Sequence, residues 1–334
     1  MTRVAVIGVG SMGRNHVRVY TEMPEAELVA VVDANPEAVE QVGRLYRVPG
    51  YTDFHEMFER ERPEAVSVAV PTEMHFAVAM QAIEAGCHVL VEKPIAASVE
   101  DAQRLIDAAG RAGLVLMVGH IERFNPAIIE LKRRLDAGEL GPVFQIHARR
   151  LGPYPARIRD VGVVMDLAPH DIDIMRYLLG SDVAQIYAKT KSQVNKNQDD
   201  MFIGLVEFQD STLGLLEINW LTPTKIRELY VTGVRGMFRV NYVTQDLFFY
   251  ENADVNGNGW QALSLFRGVS EGTFNRFAIR KKEPLRAELE TFIACIQGKC
   301  SNPMDGNEAR IALELTLAML DSARSGQIKG VVTP

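Results

Sequence analysis

The sequence predicts an α/β protein of two domains. A doubly wound parallel sheet occupies about residues 1–120, and an α+β domain on an open, mainly antiparallel sheet occupies 121–334. Three observations predict this. The first 120 residues alternate short apolar runs with helical segments. A glycine turn, Gly8-Val9-Gly10-Ser11-Met12-Gly13, follows the first run directly and opens a helix. Beyond residue 140 the apolar residues alternate with polar ones, the signature of strands with two unlike faces.

The elements follow in order. Val4–Ile7, Leu28–Val32, Ala65–Ala69, His88–Val91 and Leu114–Val118 are continuous apolar runs, suited to strands covered by helices on both faces. Asn35 before Pro36 marks a helix start, with an N-cap and a proline at the first helical position. Ser98-x-x-Asp101 is a variant capping box for a helix reaching Ala112. In the second half, Ile128, Leu131 and Leu135 form one face of a helix over 124–137. Phe144, Ile146 and Ala148 alternate with Gln145, His147 and Arg149, and Phe238, Val240 and Tyr242 alternate with Met237, Arg239 and Asn241. Further helices are expected over 165–179, 284–297 and 306–322. The stretch 252–259 is a polar, glycine-rich loop.

Composition excludes several classes. The chain has 334 residues, with 36 Lys+Arg against 43 Asp+Glu and a net charge of −7, which disfavours a nucleic-acid partner. Hydrophobic residues make up 47%, too many for a disordered chain. No apolar run approaches the ~18 residues that span a bilayer, and no signal-peptide pattern opens the chain. The three cysteines, Cys87, Cys295 and Cys300, spell no disulfide framework, and no Cys-x-x-Cys or His-x-x-x-His cluster suggests a metal. A reduced, cytoplasmic protein is the expectation.

The glycine turn carries chemistry because its context is complete. A strand precedes it, a helix follows, and Asp33 stands twenty residues beyond Gly13 at the end of the second strand. Gly8 allows the tight turn, Gly10 lets the backbone approach a pyrophosphate, and Gly13 lets the helix pack on the sheet. The helix N-terminus offers its N–H groups to a diphosphate. A carboxylate at position 33 accepts bonds from ribose hydroxyls and repels a 2′-phosphate, and Ala34 and Asn35 bring no compensating cation, so NAD is expected over NADP.

Three more segments identify a resemblance. They are Val70-Pro71-Thr72-Glu73-Met74-His75, Glu92-Lys93-Pro94, and Asp166-Leu167-Ala168-Pro169-His170-Asp171-Ile172-Asp173. With the glycine turn, in this order and spacing, the chain resembles the Gfo/Idh/MocA oxidoreductases over nearly its whole length. The resemblance implies an N-terminal Rossmann domain, and a C-terminal domain with a large open sheet whose last helices pack back toward the Rossmann domain. It places substrate between the domains, over the nicotinamide. Residues 119–126 and 149–167 are most similar to the branch of UDP-N-acetylglucosamine 3-dehydrogenases. The chain departs from many relatives where Gly162-Val163-Val164-Met165 replaces a Gly-Gly pair.

Oxidation of a secondary alcohol needs a base for the hydroxyl proton and an acceptor for the hydride. His170 is the expected base, since an imidazole titrates near neutrality. Asp166, four residues earlier, shares its helix face and is expected to bind a sugar hydroxyl or bias His170. Lys93, just past a parallel strand's C-terminal end, is expected to hold the developing charge on the reacting oxygen. The resemblance also allows a cis or strained Glu92–Lys93 peptide. Gly8, Gly10, Ser11, Met12, Gly13, Asp33, Pro71, Thr72, His75, Glu92, Lys93 and His120 are the expected cofactor residues. Arg123, Arg149, Tyr154, Arg157, Asp166 and His170 are the expected substrate residues.

Arg149, Arg150, Arg157 and Arg159, with Tyr154 among them, form a basic stretch in an acidic chain. Arginine suits bidentate phosphate binding and tyrosine stacks on bases, which favours a nucleotide sugar over a neutral polyol. The competing readings are an inositol or free-sugar dehydrogenase of the same family and a non-catalytic NAD-binding regulator. The second sheet shows no helical cover for its outer face, so a homodimer or homotetramer through that sheet is expected.

Overall fold

The computed structural model describes residues 1–155, 161–194, 198–252 and 271–331. The chain forms two compact units. One comprises Met1–Phe124 with Lys282–Glu314, the other Asn125–Lys281 with Leu315–Pro334. The first unit therefore runs four residues past the expected boundary at 120 and takes in a stretch from near the C-terminus.

The first unit holds a six-stranded parallel sheet: β1 (Thr2–Ile7), β2 (Ala26–Val32), β3 (Gly50–Tyr51), β4 (Ala65–Val68), β5 (His88–Glu92) and β6 (Leu116–Gly119). Their spatial order is β3-β2-β1-β4-β5-β6, the doubly wound arrangement whose order reverses beside β1. The apolar runs are buried because helices cover them: α1 (Ser11–Glu22), α2 (Pro36–Tyr46), α3 (Phe54–Glu61), α4 (Thr72–Glu84) and α5 (Val99–Ala112). The sequence starts hold locally. Asn35 Oδ1 accepts from the N–H groups of Glu37 and Ala38 at 3.0 and 3.4 Å, and Ser98 Oγ accepts from Asp101 N–H at 3.1 Å. β3 and α3 were not read from the sequence. β3 is two residues long, too short to show a period.

Farther along the chain come α6 (Pro126–Asp136), α7 (Val163–Leu179), α8 (Pro284–Ile296) and α9 (Gly306–Ser325). Leu285, Leu289, Phe292 and Ile293 of α8 enter the same core as Val4, Val17 and Tyr20, so α8 is part of the first unit's hydrophobic centre.

The second unit is built on a nine-stranded sheet. Its strands are β7 (Val143–Leu151), β8 (Val183–Lys191), β9 (Met201–Phe208), β10 (Leu213–Asn219), β11 (Ile226–Gly233), β12 (Gly236–Asn241), β13 (Asp246–Asn252), β14 (Glu271–Arg276) and β15 (Lys329–Gly330). The order is β14-β13-β12-β11-β7-β10-β9-β8-β15, antiparallel throughout except for the β7–β10 pair. One face, carrying Ile146, Ala148, Phe202, Val206, Leu216 and Ile218, is buried, and α7 packs on it. The opposite face exposes Tyr187, Ile203, Leu205 and Leu213. The expected loop over 252–259 lies outside the described residues after Asn252. No helix among the described residues is long and apolar enough to cross a membrane.

Candidate active site

In the first unit the site begins at the glycine turn. Gly8 has φ +90°, and a Cβ there would stand 2.6 Å from the carbonyl oxygen of Ala69. A Cβ on Gly13 would stand 1.8 Å from the Gly8 oxygen, so both positions admit only glycine. Gly10 is different. Nothing lies within 4 Å of its Cβ position, so the space beside it is open to a ligand. Gly10 is also the N-cap of α1 and brings no side-chain cap to the helix's first N–H groups. Ser11 is exposed there, while Met12 is half-buried against the core.

Asp33 follows β2. Its Oδ2 accepts from Val9 N–H at 2.8 Å and its Oδ1 from Asn35 N–H at 2.9 Å. Those bonds tie the carboxylate to the glycine turn and use two of its roughly four acceptor sites. The remainder is available to a pair of ribose hydroxyls. An uncapped helix start, an open Gly10 and a fixed carboxylate together fit a dinucleotide's diphosphate and ribose.

Lys93 is half-buried just beyond β5, and the bond it makes to Pro94 is cis. The unusual peptide is thus one residue later than the Glu92–Lys93 position that the resemblance allowed. The flanking residues face inward. Glu92 is buried, and its Oε1 accepts from His16 Nε2 at 2.9 Å. Gly119 of β6 leaves room for this carboxylate, since a Cβ there would stand 3.0 Å from Glu92 Oε2. Pro71 is the N-cap of α4 and Thr72 its first residue, half-buried. His75 is buried, with Nδ1 2.7 Å from the Pro94 oxygen and Nε2 2.9 Å from the Val70 oxygen. Burial pushes this imidazole below its ordinary pKa, against the pull of the two carbonyls. A neutral imidazole carries a single N–H, so it donates to one of the two oxygens at a time, and seated between Val70 and Pro94 it braces the turn that carries Lys93. His120 is buried after β6. Arg123 donates to the Pro303 oxygen at 2.9 Å and pairs with Glu308 at 2.7 Å, holding the loop before α9.

In the second unit, Asp166 and His170 lie one and two turns into α7. Both are half-buried, as is Met165, while Val163, Val164, Leu167, Ala168 and Pro169 are buried. The i, i+4 spacing places both side chains on one face. α7 is fixed to the sheet by a bond the sequence did not disclose. Arg150 grips Asp171, with Nε 3.0 and 2.9 Å from the two carboxylate oxygens and Nη2 2.9 Å from Oδ1. Both side chains are almost fully buried.

The arginines of the basic stretch do not form one cluster. Arg149 and Arg150 are neighbours on β7, and strand alternation sends them to opposite faces. Arg150 meets α7. Arg149 lies on the other face, where its Nε donates to Glu217 at 2.7 Å, and so is not brought together with Asp166 and His170. Tyr154 is half-buried, edge-on to Trp220 with ring centroids 5.6 Å apart. Arg157 and Arg159 lie outside the described residues. The first unit also holds an acid that the sequence reading missed. Glu288 of α8 is completely buried, with neither carboxylate oxygen hydrogen-bonded among the described residues. Its signal was present, because position 288 lies on the apolar stripe of Leu285, Leu289 and Phe292.

The doubly wound sheet and its glycine turn make the first unit a dinucleotide-binding fold. Comparison with known proteins sharpens the class. Residues 2–120 match the oxidoreductase family, NAD-binding Rossmann fold, of the Gfo/Idh/MocA group, and residues 128–239 match the C-terminal domain of that group. The chain belongs to the Gfo/Idh/MocA family. It is 30% identical to the UDP-N-acetylglucosamine 3-dehydrogenase of Acidithiobacillus ferrooxidans, over 94% of this chain and 95% of that one. A solved structure of that enzyme superposes with a TM-score of 0.86 at 28% identity, covering 97% of this chain and 98% of the other. The chain is also 28% identical to the NAD-dependent scyllo-inositol 2-dehydrogenase of Bacillus subtilis, over 97% and 94% of the two chains. The protein is an NAD-dependent dehydrogenase of the sugar and polyol class.

Proposed function

We propose that the enzyme oxidises a secondary hydroxyl of a nucleotide sugar, UDP-N-acetylglucosamine at C3, to the 3-keto sugar. The observation that carries this reading is the full-length similarity to the Acidithiobacillus enzyme, which extends through both units. Bound NAD supplies the hydride acceptor. His170 takes the hydroxyl proton. Asp166, on the same face of α7, orients the sugar through a neighbouring hydroxyl. Lys93 donates a hydrogen bond to the reacting oxygen and stabilises the negative charge that develops there. His75 and the His16–Glu92 pair keep the Lys93 turn in place. The Arg150–Asp171 grip fixes α7, and with it His170, against the sheet.

Arg149 and Arg150 are committed to carboxylates, so the nucleotide part of the substrate is assigned to Tyr154 and Arg157. The second reading, an inositol dehydrogenase, draws on the similarity to the Bacillus enzyme. The test incubates purified protein and NAD with UDP-N-acetylglucosamine, scyllo-inositol, myo-inositol and methyl glucoside, and follows the absorbance of reduced nicotinamide. Turnover with UDP-N-acetylglucosamine at a kcat/KM at least ~10-fold above the others supports the reading. A preference for an inositol replaces it.

A further inference from the structure

We propose that Cys295 and Cys300 form a dithiol modification site that closes to an intrachain disulfide in the presence of a low-molecular-weight disulfide such as oxidised glutathione. Cys295 is the penultimate residue of α8, and Cys300 lies in the loop that follows. Gly298, at φ +68°, turns the chain, and Lys299 N–H returns to the Ala294 oxygen at 2.9 Å. The turn brings the two Sγ atoms to 3.3 Å. A disulfide needs a bond of ~2.05 Å, so closure asks for little more than about 1 Å of approach. Cys295 is buried and Cys300 exposed, an arrangement of one reachable and one resolving thiol. The third cysteine takes no part in the turn. Cys87 is buried, with its Sγ donating to the Pro63 oxygen at 3.2 Å.

The exchange balances without a further reactant. The Cys300 thiolate attacks one sulfur of oxidised glutathione, forming a mixed disulfide and releasing one glutathione thiolate, which is then protonated. The Cys295 thiolate attacks the Cys300 sulfur, forming the protein disulfide and releasing the second glutathione. Two protein thiols are oxidised, and one glutathione disulfide is reduced to two thiols. Burial and the neighbouring Cys300 push the Cys295 thiol up to about 12. The Cys300 contribution ends once Cys300 carries glutathione, but burial still disfavours the Cys295 thiolate, so the second step accelerates with pH.

The loop beyond Cys300 is anchored to β6. Asn302 Nδ2 donates to the Leu116 oxygen at 2.8 Å, and Val118 N–H donates to the Met304 oxygen at 3.1 Å. Arg123 reaches the Pro303 oxygen in the same loop. Closure fastens the end of α8 to the segment that borders the strand leading to His120.

The experiment treats the full-length protein with oxidised glutathione, blocks remaining thiols with N-ethylmaleimide and digests with trypsin. Cleavage after Lys299 separates residues 287–299 from 300–310, so the disulfide appears as a linked pair of peptides. The expected result is this pair, with the intact chain lighter by about 2 Da and restored by dithiothreitol. Cys295→Ser is expected to stop at a glutathione adduct on Cys300. Closure in the wild type should speed up about tenfold from pH 7 to pH 8, in step with the thiolate fraction. Wild-type protein that accumulates only glutathione adducts with unlinked peptides, or that links Cys87 instead, overturns the proposal.

Discussion

His16 Nε2 stands 2.9 Å from Glu92 Oε1, joining the helix of the glycine turn to the residue before Lys93. Burial alone pushes Glu92 up. The hydrogen bond and charge of His16, with the charges of Lys93 and His75, outweigh it and hold the carboxyl below its usual range. A depressed carboxyl contributes stability above its unfolded pKa, and that contribution is lost as pH falls through the lower folded value. His16→Leu leaves the carboxylate buried without this partner. The expected cost is ~3 kcal/mol at pH 7, shrinking by pH 5, where the stranded carboxyl takes up a proton. Urea denaturation at the two pH values measures it, and an equal cost at both would show that the pair is not acting through charge.

Glu288 titrates with the opposite sign. Burial, then the charge of Glu92, raises its carboxyl well above the ordinary range. An acid with a raised folded pKa supports folding fully below its unfolded value of ~4.3, and that support fades as pH climbs toward the folded value. Glu288→Leu keeps the bulk and removes the acid. The variant should already exceed the wild type near pH 4.5, because the neutral acid is buried without a hydrogen bond among the described residues, and the margin should widen by ~1–3 kcal/mol by pH 8. Parallel stability curves for the two proteins would contradict this assignment.

These two acids show where the sequence stopped being legible. The glycine turn, the Asn35 and Ser98 caps and the Asp166–His170 spacing are local patterns, readable because each is completed within a few residues or one βαβ unit. His16 and Glu92 are 76 residues apart, and nothing local announces their meeting. Glu288 was visible as a charge on an apolar stripe, but its neighbours depend on α8 returning to the first unit's core. Arg149 and Arg150 fell into the reverse error. Adjacency in sequence suggested one basic patch, whereas strand alternation assigns them to opposite faces and separate carboxylates.

Asp33 is expected to set the cofactor preference. Its carboxylate is held by Val9 and Asn35 N–H groups, so it cannot swing away from a 2′-phosphate without breaking the turn's own bonds. NAD is expected to bind at least ~10-fold more tightly than NADP. Asp33→Ala should narrow that gap while weakening both cofactors somewhat, since the turn loses two hydrogen bonds. Calorimetric titration of each cofactor checks it, and an unchanged ratio in the variant would move the discrimination elsewhere.

On the outer face of the second sheet Tyr187, Leu205 and Leu215 pair across three strands, with exposed Ile203 and Leu213 nearby on β9 and β10 and Leu205 47% accessible. We propose that a second copy of the same sheet packs on this apolar row. Leu205→Glu adds a charge at its centre without touching the buried face. Light scattering should then show the species falling from a dimer or tetramer toward a single chain. A wild type that already runs as one chain at all concentrations would refute the arrangement.

His170 is the residue on which the proposed chemistry turns. It shares a face of α7 with Asp166, and α7 is held by the buried Arg150–Asp171 grip, so replacing the imidazole should leave the helix in place. His170→Ala is expected to lower kcat by roughly 10²-fold or more, the usual contribution of a general base. NAD affinity should barely change, because the glycine turn and Asp33 belong to the other unit. Replacing Lys93 with Met should also cut kcat, but with weaker cofactor positioning, because Lys93 belongs to the Rossmann unit. Steady-state rates over pH 6–9 separate the roles. With the base gone, the rise of kcat with pH through the imidazole range should flatten, whereas Lys93→Met should keep it. Near-wild-type turnover by His170→Ala across that range, with UDP-N-acetylglucosamine and with inositol alike, would move the base role to another residue, with Lys93 the next candidate.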